Sequence, residues 1–401
     1  MSHLVSCVAW YTREIYYVFI EPWLAKLGLV YFGFGDASYG REAIPYSNIE
    51  RELIYEAPGV KVTRRRVFFS YNEPILDLKM QGQGLRLPFS YLGKPVTAWV
   101  NYYVWERPDE VARAKLNADI YMAHGINEYS GRTATAASVH LRNGFRVIGI
   151  DMPSFGRSSG LHGYLPTLRW NEGALNAVML HVHMWDEYEQ LENLANRKRF
   201  AQGASMGGFT CAYHAALHPP PSTSVSMSLN GICLTAPMLQ ISPITRPNVC
   251  IEAIARMVSL VAGRLGVLQP IRGHLSDDPN VEFYARQDRQ GYLGRLRIDT
   301  GLGIADGLTH LDQIAESIRC PILIFHGTAD RVTDPDGSQL FYDRLLVQDK
   351  TIKFWPGWEH VMIKNYPGMS EQDKAARTKL LSDISQWFMD HTRVDSTAPH
   401  A

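Results

Sequence analysis

The 401-residue sequence predicts an α/β fold, a mostly parallel central sheet flanked by helices, with a helical cap inserted late in the chain. Three observations carry this. From residue 118 onward, short apolar runs alternate with helical stretches, the rhythm of a parallel sheet. Gly203-Ala204-Ser205-Met206-Gly207 fits the G-x-S-x-G turn, in which a strand reverses into a helix and lifts a serine above the sheet edge. Finally, the rhythm stops over residues 236–318 and then resumes, as expected of an insertion above the carboxyl ends of the strands.

Composition narrows the function. Lys and Arg total 40 and Asp and Glu total 40, so no net charge draws the chain to nucleic acid. The 46% apolar content supports one large core or two modest ones. The five cysteines are scattered and form no C-x-x-C pair. That pattern argues against a zinc site or a disulfide framework and fits a reducing, cytoplasmic setting.

The elements follow in order. Residues 1–60 form an N-terminal arm, rich in aromatic and aliphatic side chains over 5–30. Arg13, Glu14, Glu21, Pro22 and Lys26 interrupt it, so no run of about 18 apolar residues exists to span a membrane. A basic leader and a small-residue cleavage site are missing, so no signal peptide is read. The arm reads as packing on the domain or as a homodimer contact; the sharper alternative is an aromatic helix resting on a lipid surface. Residues 61–235 form the first part of the core. Strands are expected at 62–70 and 96–105, separated by an extended loop at 73–95, with Arg64, Arg65 and Arg66 on a solvated strand edge. Further strands are expected at 118–123, 145–150, 199–202 and 225–234, and helices at 130–143, 171–196 and 206–218. The cap, 236–318, opens with an apolar helix at 251–268. Its apolar residues cover most of its circumference, so more than one face needs cover. One face can pack on the core while the other lines an acyl tunnel or touches a lipid surface; the plainer alternative buries both faces in the core. Residues 319–391 complete the core with strands at 321–326 and 351–355 and a helix at 371–391. A loose tail, 392–401, follows.

The chemistry centres on Ser205. Acyl transfer needs a nucleophile, a base to take its proton and an acid to orient the base. Asp330 and His360 each sit just past an apolar strand, in the chain order Ser…Asp…His, at the sheet edge where Ser205 lies. Asp334 and Asp336 compete with Asp330 but lie farther from the strand end. The tetrahedral intermediate needs two N–H donors for its oxyanion. The amide after the nucleophile, Met206, supplies one, and the His124-Gly125-Ile126 turn supplies the other through the Ile126 amide. Other histidines have plainer readings. His181 and His183, with Asp186, resemble metal ligands, but their spacing points them to different helix faces. His326 reads as strand-end packing and His310 as a loop residue. No metal and no organic cofactor is expected.

Four motifs together resemble a known family. His124-Gly125-Ile126-Asn127-Glu128-Tyr129-Ser130-Gly131-Arg132, the elbow through Gly208, His326-Gly327-Thr328-Ala329-Asp330-Arg331 and Gly357-Trp358-Glu359-His360-Val361 are similar to the monoacylglycerol lipases of the α/β-hydrolase superfamily. The resemblance covers roughly residues 62–387, including the position of the cap. Asn127 stands where the family carries a second Gly, and Ala204 where it carries His. The resemblance implies an α/β-hydrolase fold and a monoacylglycerol or similar lipid ester as substrate. The residues alone support a capped serine hydrolase for carboxylic esters with an apolar acyl part. The alternatives are an esterase or lactonase for a xenobiotic or secondary metabolite and, from another class, a small-molecule receptor on the same fold. The expected partners are a small-molecule ester, a lipid surface and a second copy of the chain. Epoxide hydrolase chemistry is set aside because it needs Asp at position 205.

Overall fold

The apolar runs become strands because helices cover both of their faces. In a computed structural model, the described residues are 11–30, 32–68, 85–86, 97–240, 248–268 and 275–393. Among them the strands are β1 (Lys61–Phe68), β2 (Leu85–Arg86), β3 (Thr97–Glu106), β4 (Ala118–Ala123), β5 (Arg146–Asp151), β6 (Lys198–Ala204), β7 (Gly231–Thr235), β8 (Gly266–Leu268), β9 (Leu296–Arg297), β10 (Ile322–Gly327) and β11 (Lys350–Trp355). The main sheet runs β1-β3-β5-β4-β6-β7-β10-β11. The pairings β1–β3 and β3–β5 are antiparallel, and all later pairings along this path are parallel. This is the α/β-hydrolase fold. Every residue of β4, β5 and β10 is buried, as expected of parallel strands covered on both faces.

The helices sort by side. Besides short helices at Glu21–Lys26 and Asn48–Glu50 in the arm, we number the α-helices α1 (Pro108–Ala114), α2 (Ala134–Arg142), α3 (Arg169–Tyr188), α4 (Met206–Leu217), α5 (Val249–Ala262), α6 (Pro279–Gln287), α7 (Ile298–Ile314), α8 (Pro335–Arg344) and α9 (Glu371–Arg393). Successive strand residues point to opposite faces. In β3, Tyr102 and Val104 join a cluster with Leu175 and Val178 of α3 and Phe209 of α4. Tyr103 and Trp105 join a second cluster with Leu141 of α2 and Leu380, Ile384 and Phe388 of α9. The period-2 alternation of one strand thus divides the core into two layers.

Several expected boundaries move. The helix expected at 171–196 ends at Tyr188, and Leu194–Asn196 is a separate 3₁₀ turn. The strand expected at 225–234 is Gly231–Thr235. The loop expected at 73–95 lies largely outside the described residues, but Leu85–Arg86 within it pairs with the start of β3. The tail beyond Arg393 also lies outside them. The arginines of β1 are engaged rather than solvated. Arg64 and Arg66 both pair with Glu42, while Arg65 pairs with Glu189 and lies over the Trp185 ring.

Between β7 and β10 lie α5, the β8–β9 ribbon, α6 and α7. The helix expected at 251–268 stops at Ala262, with Gly263 at its C-cap. Residues Gly266–Leu268 leave it to pair antiparallel with β9. Of α5, only Ala262 is buried; Val249, Ile254, Met257, Leu260 and Val261 are exposed. The arm packs beside this segment. Arg264 donates to the Tyr17 carbonyl and pairs with Glu21, while Arg297 pairs with Glu14. Glu21 is fully buried and also accepts from the Gly33 amide and the Tyr39 hydroxyl. The outer side of the arm leaves Tyr11, Ile15, Trp23, Leu27 and Leu29 exposed.

Ion pairs lock the opposite end of the sheet. Arg146, at the start of β5, makes a two-point contact with Asp119 at 2.7 Å and also binds both Asp186 oxygens of α3. Arg197 adds a 2.6 Å bond to Asp119. Burial works against ionisation of Asp119, but the two guanidinium charges hold its carboxyl well below the usual carboxylate range. Asp119→Ala leaves two cations short of their partner in a buried site. It is expected to cost roughly 3–5 kcal/mol in urea unfolding at neutral pH. Because the folded-state value is depressed, this contribution is present above the unfolded-chain value of about 3.9 and disappears as pH falls through the folded one. The gap between wild type and variant therefore narrows in acid. A pH-independent difference contradicts this assignment.

Candidate active site

The elbow is built where β6 meets α4. Ser205 has φ 55° and ψ −121°, a conformation strained for a residue with a side chain. Neighbouring backbone holds it there: the Ser205 amide donates to the Thr235 carbonyl at the end of β7, and the Ser205 carbonyl accepts from Met238 and Phe209. The flanking glycines are needed for close approach. A Cβ on Gly203 would lie 2.1 Å from the Gly207 carbonyl oxygen, and one on Gly207 would lie 2.0 Å from that of Ala123. Met206 is the first residue of α4, so its amide has no intrahelical carbonyl to bond.

The loop after β4 comes next to the elbow. His124 accepts the Met152 amide at Nε2 (3.0 Å), so its proton sits on Nδ1 and donates to the Gly125 carbonyl (2.7 Å). Burial keeps this ring neutral by lowering its pKa. Asn127 has φ 65°. This position requires the left-handed region, and Asn is the side chain that tolerates it best after Gly. The departure from the family pattern therefore preserves the turn. The Glu128 carboxylate accepts the Gly125 amide at 3.1 Å and pairs with Lys364. Burial opposes its ionisation, but the charges of Lys364 and Arg132 lower its pKa to about 2.

Asp330 and His360 come from loops that dock on one another. A Cβ on Gly327 would lie 2.2 Å from the Trp358 carbonyl oxygen, and the Ala329 amide donates to that same oxygen. Asp330 Oδ2 lies 2.7 Å from His360 Nδ1. Oδ1 accepts the Val332 and Thr333 amides, and the Thr333 hydroxyl donates to Oδ2 at 2.9 Å. Burial opposes ionisation of Asp330, but His360 and His326 hold its carboxyl well below the usual range. Asp334 instead caps α8, accepting the Asp336 amide, and Asp336 lies in the first turn of that helix.

Ser205 and His360 line one cavity of about 100 Å³ with Gly125, Ile126 and Ala204. Glu128, Arg132, Asp288 and Lys364 also line it, as do Val361, Met362 and Ile363, and residues of α6 and the following loop through Leu293. No residue of α5 lines it, so α5 does not supply the acyl-site wall expected of it.

Three side chains near the site do more than the sequence suggests. His326 was expected to be packing, yet its Nε2 lies 3.1 Å from Asp330 Oδ2 and its Nδ1 2.7 Å from the Ser338 hydroxyl. Its place four residues before Asp330 was the available signal. Thr333 and Lys364 approach from later turns and carried no motif. His310, expected in a loop, lies in α7 and meets the Tyr213 hydroxyl. His181 bonds Tyr102 and Trp185, whereas His183 faces Arg199 and Asp186 faces Arg146; the three do not converge.

Comparison with known proteins supplies the family and supports the fold. Residues 114–365 match the family model described as serine aminopeptidase, S33 (Hydrolase_4). The chain belongs to that family. It is 23% identical over 277 residues to the caffeoylshikimate esterase of Arabidopsis thaliana, covering 68% of this chain and 78% of that protein. It is 24% identical over 286 residues to human monoglyceride lipase, covering 70% and 84%. Among solved structures, a soluble variant of the Saccharomyces cerevisiae monoglyceride lipase in complex with a substrate analog superposes with a TM-score of 0.59 at 17% identity, over 79% of this chain and 97% of that one. The chain is an α/β-hydrolase whose similarity is to carboxylic ester hydrolases.

The hydrogen bonds single out one carboxylate for substitution. Asp330→Asn is expected to lower kcat by about 10⁴-fold, because the amide favours the wrong His360 tautomer. Asp334→Asn should leave kcat near wild type, with only a weakened cap on α8. Steady-state kinetics on a p-nitrophenyl ester decides, and the reverse ranking moves the acid to Asp334.

Proposed function

We propose that the chain hydrolyses carboxylic esters of the lipid class, a monoacylglycerol or a similar ester, through a Ser205-His360-Asp330 triad. The hydrogen bond from His360 Nδ1 to Asp330 carries this reading. It leaves Nε2 as the base, on a ring that shares a cavity with Ser205. The Ser205 hydroxyl adds to the ester carbonyl as His360 Nε2 takes its proton. The Met206 and Ile126 amides hold the oxyanion. Collapse breaks the ester C–O bond, and His360 returns the proton to the leaving alcohol. Water then repeats the sequence on the acyl-enzyme and releases the acid. Glu128, bonded to the Gly125 amide and to Lys364, braces the loop that carries Ile126.

Residues 236–318 act as the cap of this core, with α6 as the roof over the site. The lipid surface meets the outer face of the cap and arm. There Leu260 and Val261 of α5 are 83% and 69% exposed, and Trp23 and Leu27 of the arm stand out from a segment tied to the cap by Arg264 and Arg297. No helix among the described residues is long and apolar enough to cross a membrane. Contact is therefore proposed as peripheral.

A panel of glyceryl esters of graded chain length, offered both dissolved and on phospholipid vesicles, tests this. Each buried methylene is worth ~0.8 kcal/mol, so kcat/KM should rise about fourfold per CH₂ until the site is full. The Leu260→Asp, Val261→Asp double variant should lose activity on vesicle-borne ester and keep it on dissolved short ester. A flat chain-length profile favours the small-ester alternative. Equal loss on both forms of substrate contradicts the lipid-surface role. A dimer that buries this face, seen by light scattering, reassigns it to a second copy of the chain.

A further inference from the structure

Far from the proposed triad, on the same elbow helix, three metal-ligating side chains converge. His214 lies in the last turn of α4, and His218 follows four residues later, its amide still bonded to the His214 carbonyl. Glu172 reaches them from the first turn of the adjacent α3. Glu172 Oε1 lies 3.1 Å from His214 Nδ1 and 2.7 Å from His218 Nε2, and the three donor atoms lie within 4.8 Å of one another. The spacing has a physical reading. Histidines at i and i+4 share one helix face, the arrangement by which helices present two imidazoles to a zinc ion.

The proton positions sharpen the point. His214 Nε2 lies 2.7 Å from the Met227 carbonyl oxygen, which can only accept, so Nε2 carries a hydrogen. In a neutral ring, Nδ1 then directs a lone pair at the Glu172 carboxylate. A lone pair against an anion repels unless a cation stands between them, either an added proton or a metal ion. A ligating histidine typically donates its other N–H to a carbonyl or a carboxylate, and the Met227 contact has that form. The carbonyl is itself held in place, because Asn176 accepts the Met227 amide and donates to the Val225 carbonyl.

We propose that Glu172, His214 and His218 form a zinc site that staples α3 to the C-terminal end of the elbow helix. Two imidazole nitrogens and one carboxylate oxygen suit Zn²⁺, whose bond lengths of ~2.0–2.1 Å place tetrahedral ligands about 3.3–3.4 Å apart. The two distances to Oε1, 3.1 and 2.7 Å, fall short of that separation, so side-chain shifts of a few tenths of an ångström at His214 and about 0.6–0.7 Å at His218 admit the ion. The His214 side chain is fully buried, whereas that of His218 is 23% exposed, which gives the ion a path in and leaves a water as the fourth ligand. The site is structural. His214 lies nine residues beyond Ser205, about 13 Å along the helix. The ion therefore anchors the far end of the helix whose first residue is Met206. This departs from the expectation of no metal, since neither His214 nor His218 pairs with a carboxylate nearby in sequence.

Full-length protein stripped with a chelator and dialysed is titrated with zinc chloride. Binding is followed by metal analysis, by competition with a colorimetric chelator and by thermal unfolding. The expected result is one zinc per chain with a micromolar or tighter Kd, and a Tm rise of roughly 3–5 °C at about 100 times Kd. Mg²⁺, which prefers oxygen ligands, should do nothing. His218→Ala, at a partly exposed helix end, and Glu172→Gln should each abolish the stoichiometric binding and the Tm rise, whereas His183→Ala, on a different helix face, should keep both. Absence of micromolar zinc binding in the wild type overturns the proposal and leaves a cluster held by protons. Zinc binding that survives both His218→Ala and Glu172→Gln places the ion elsewhere and overturns it equally.

Discussion

The closeness of three backbones at the elbow is the constraint on which the rest of the structure depends. β6, the start of α4 and the end of β4 approach so tightly that a single Cβ on Gly203 or Gly207 would overlap a carbonyl. This proximity has two consequences. It forces Ser205 to φ 55°, a strain that the amide bond to Thr235 and the carbonyl bond to Met238 help to hold. It also seats the turn at His124–Ile126 beside the serine, the proximity on which the proposed pairing of the Met206 and Ile126 amides at one oxyanion rests. Side chains larger than hydrogen at 203 or 207 would separate these elements before they changed any chemistry.

The same logic repeats at the other half of the site. Gly327 lets the strand end carrying Asp330 lie against the Trp358 carbonyl, two residues before His360. Electrostatics then completes what packing begins. The Asp330 carboxylate is surrounded by two histidines, the Thr333 hydroxyl and two amides. Such a shell keeps it charged and fixed, which in turn fixes the His360 ring. Glu128 does for the β4 loop what His326 and Thr333 do for Asp330: a half-buried charge, satisfied by Lys364, holds an amide that would otherwise be free to turn. At the far end of the sheet, Asp119 and Arg146 keep β4 and β5 in register, and therefore keep the loops at the opposite end in place.

Much of this was legible in the chain itself. Apolar runs such as Ile322–Gly327, Ala118–Ala123 and Arg146–Asp151 announce buried parallel strands, and the glycines at 203, 207 and 327 announce the turns between elements. What stayed hidden depends on distant partners. The helix beginning at Arg169 looks long because polar residues continue to 196, but nothing in that local pattern reports that it stops at Tyr188. The apolar pattern of α5 runs on past Ala262, yet Gly266–Leu268 pairs with Leu296–Arg297, about 30 residues away. The width of its apolar surface suggested two covered faces, whereas the helix lies on the outside of the molecule. His326 looked like packing because its partner relation to Asp330 is set by the turn, and Lys364 gave no sign because Glu128 is 236 residues away.

The central claim is that Ser205 carries the acyl group between the two halves of the reaction. Rapid acid quench of the enzyme during turnover of a slowly deacylating ester, followed by peptide mass spectrometry, tests it most directly. The account predicts an adduct, heavier by the acyl group less one hydrogen, on the peptide containing Ser205 and absent from Ser205→Ala. An adduct on another residue, or turnover by Ser205→Ala at the wild-type rate, would contradict it.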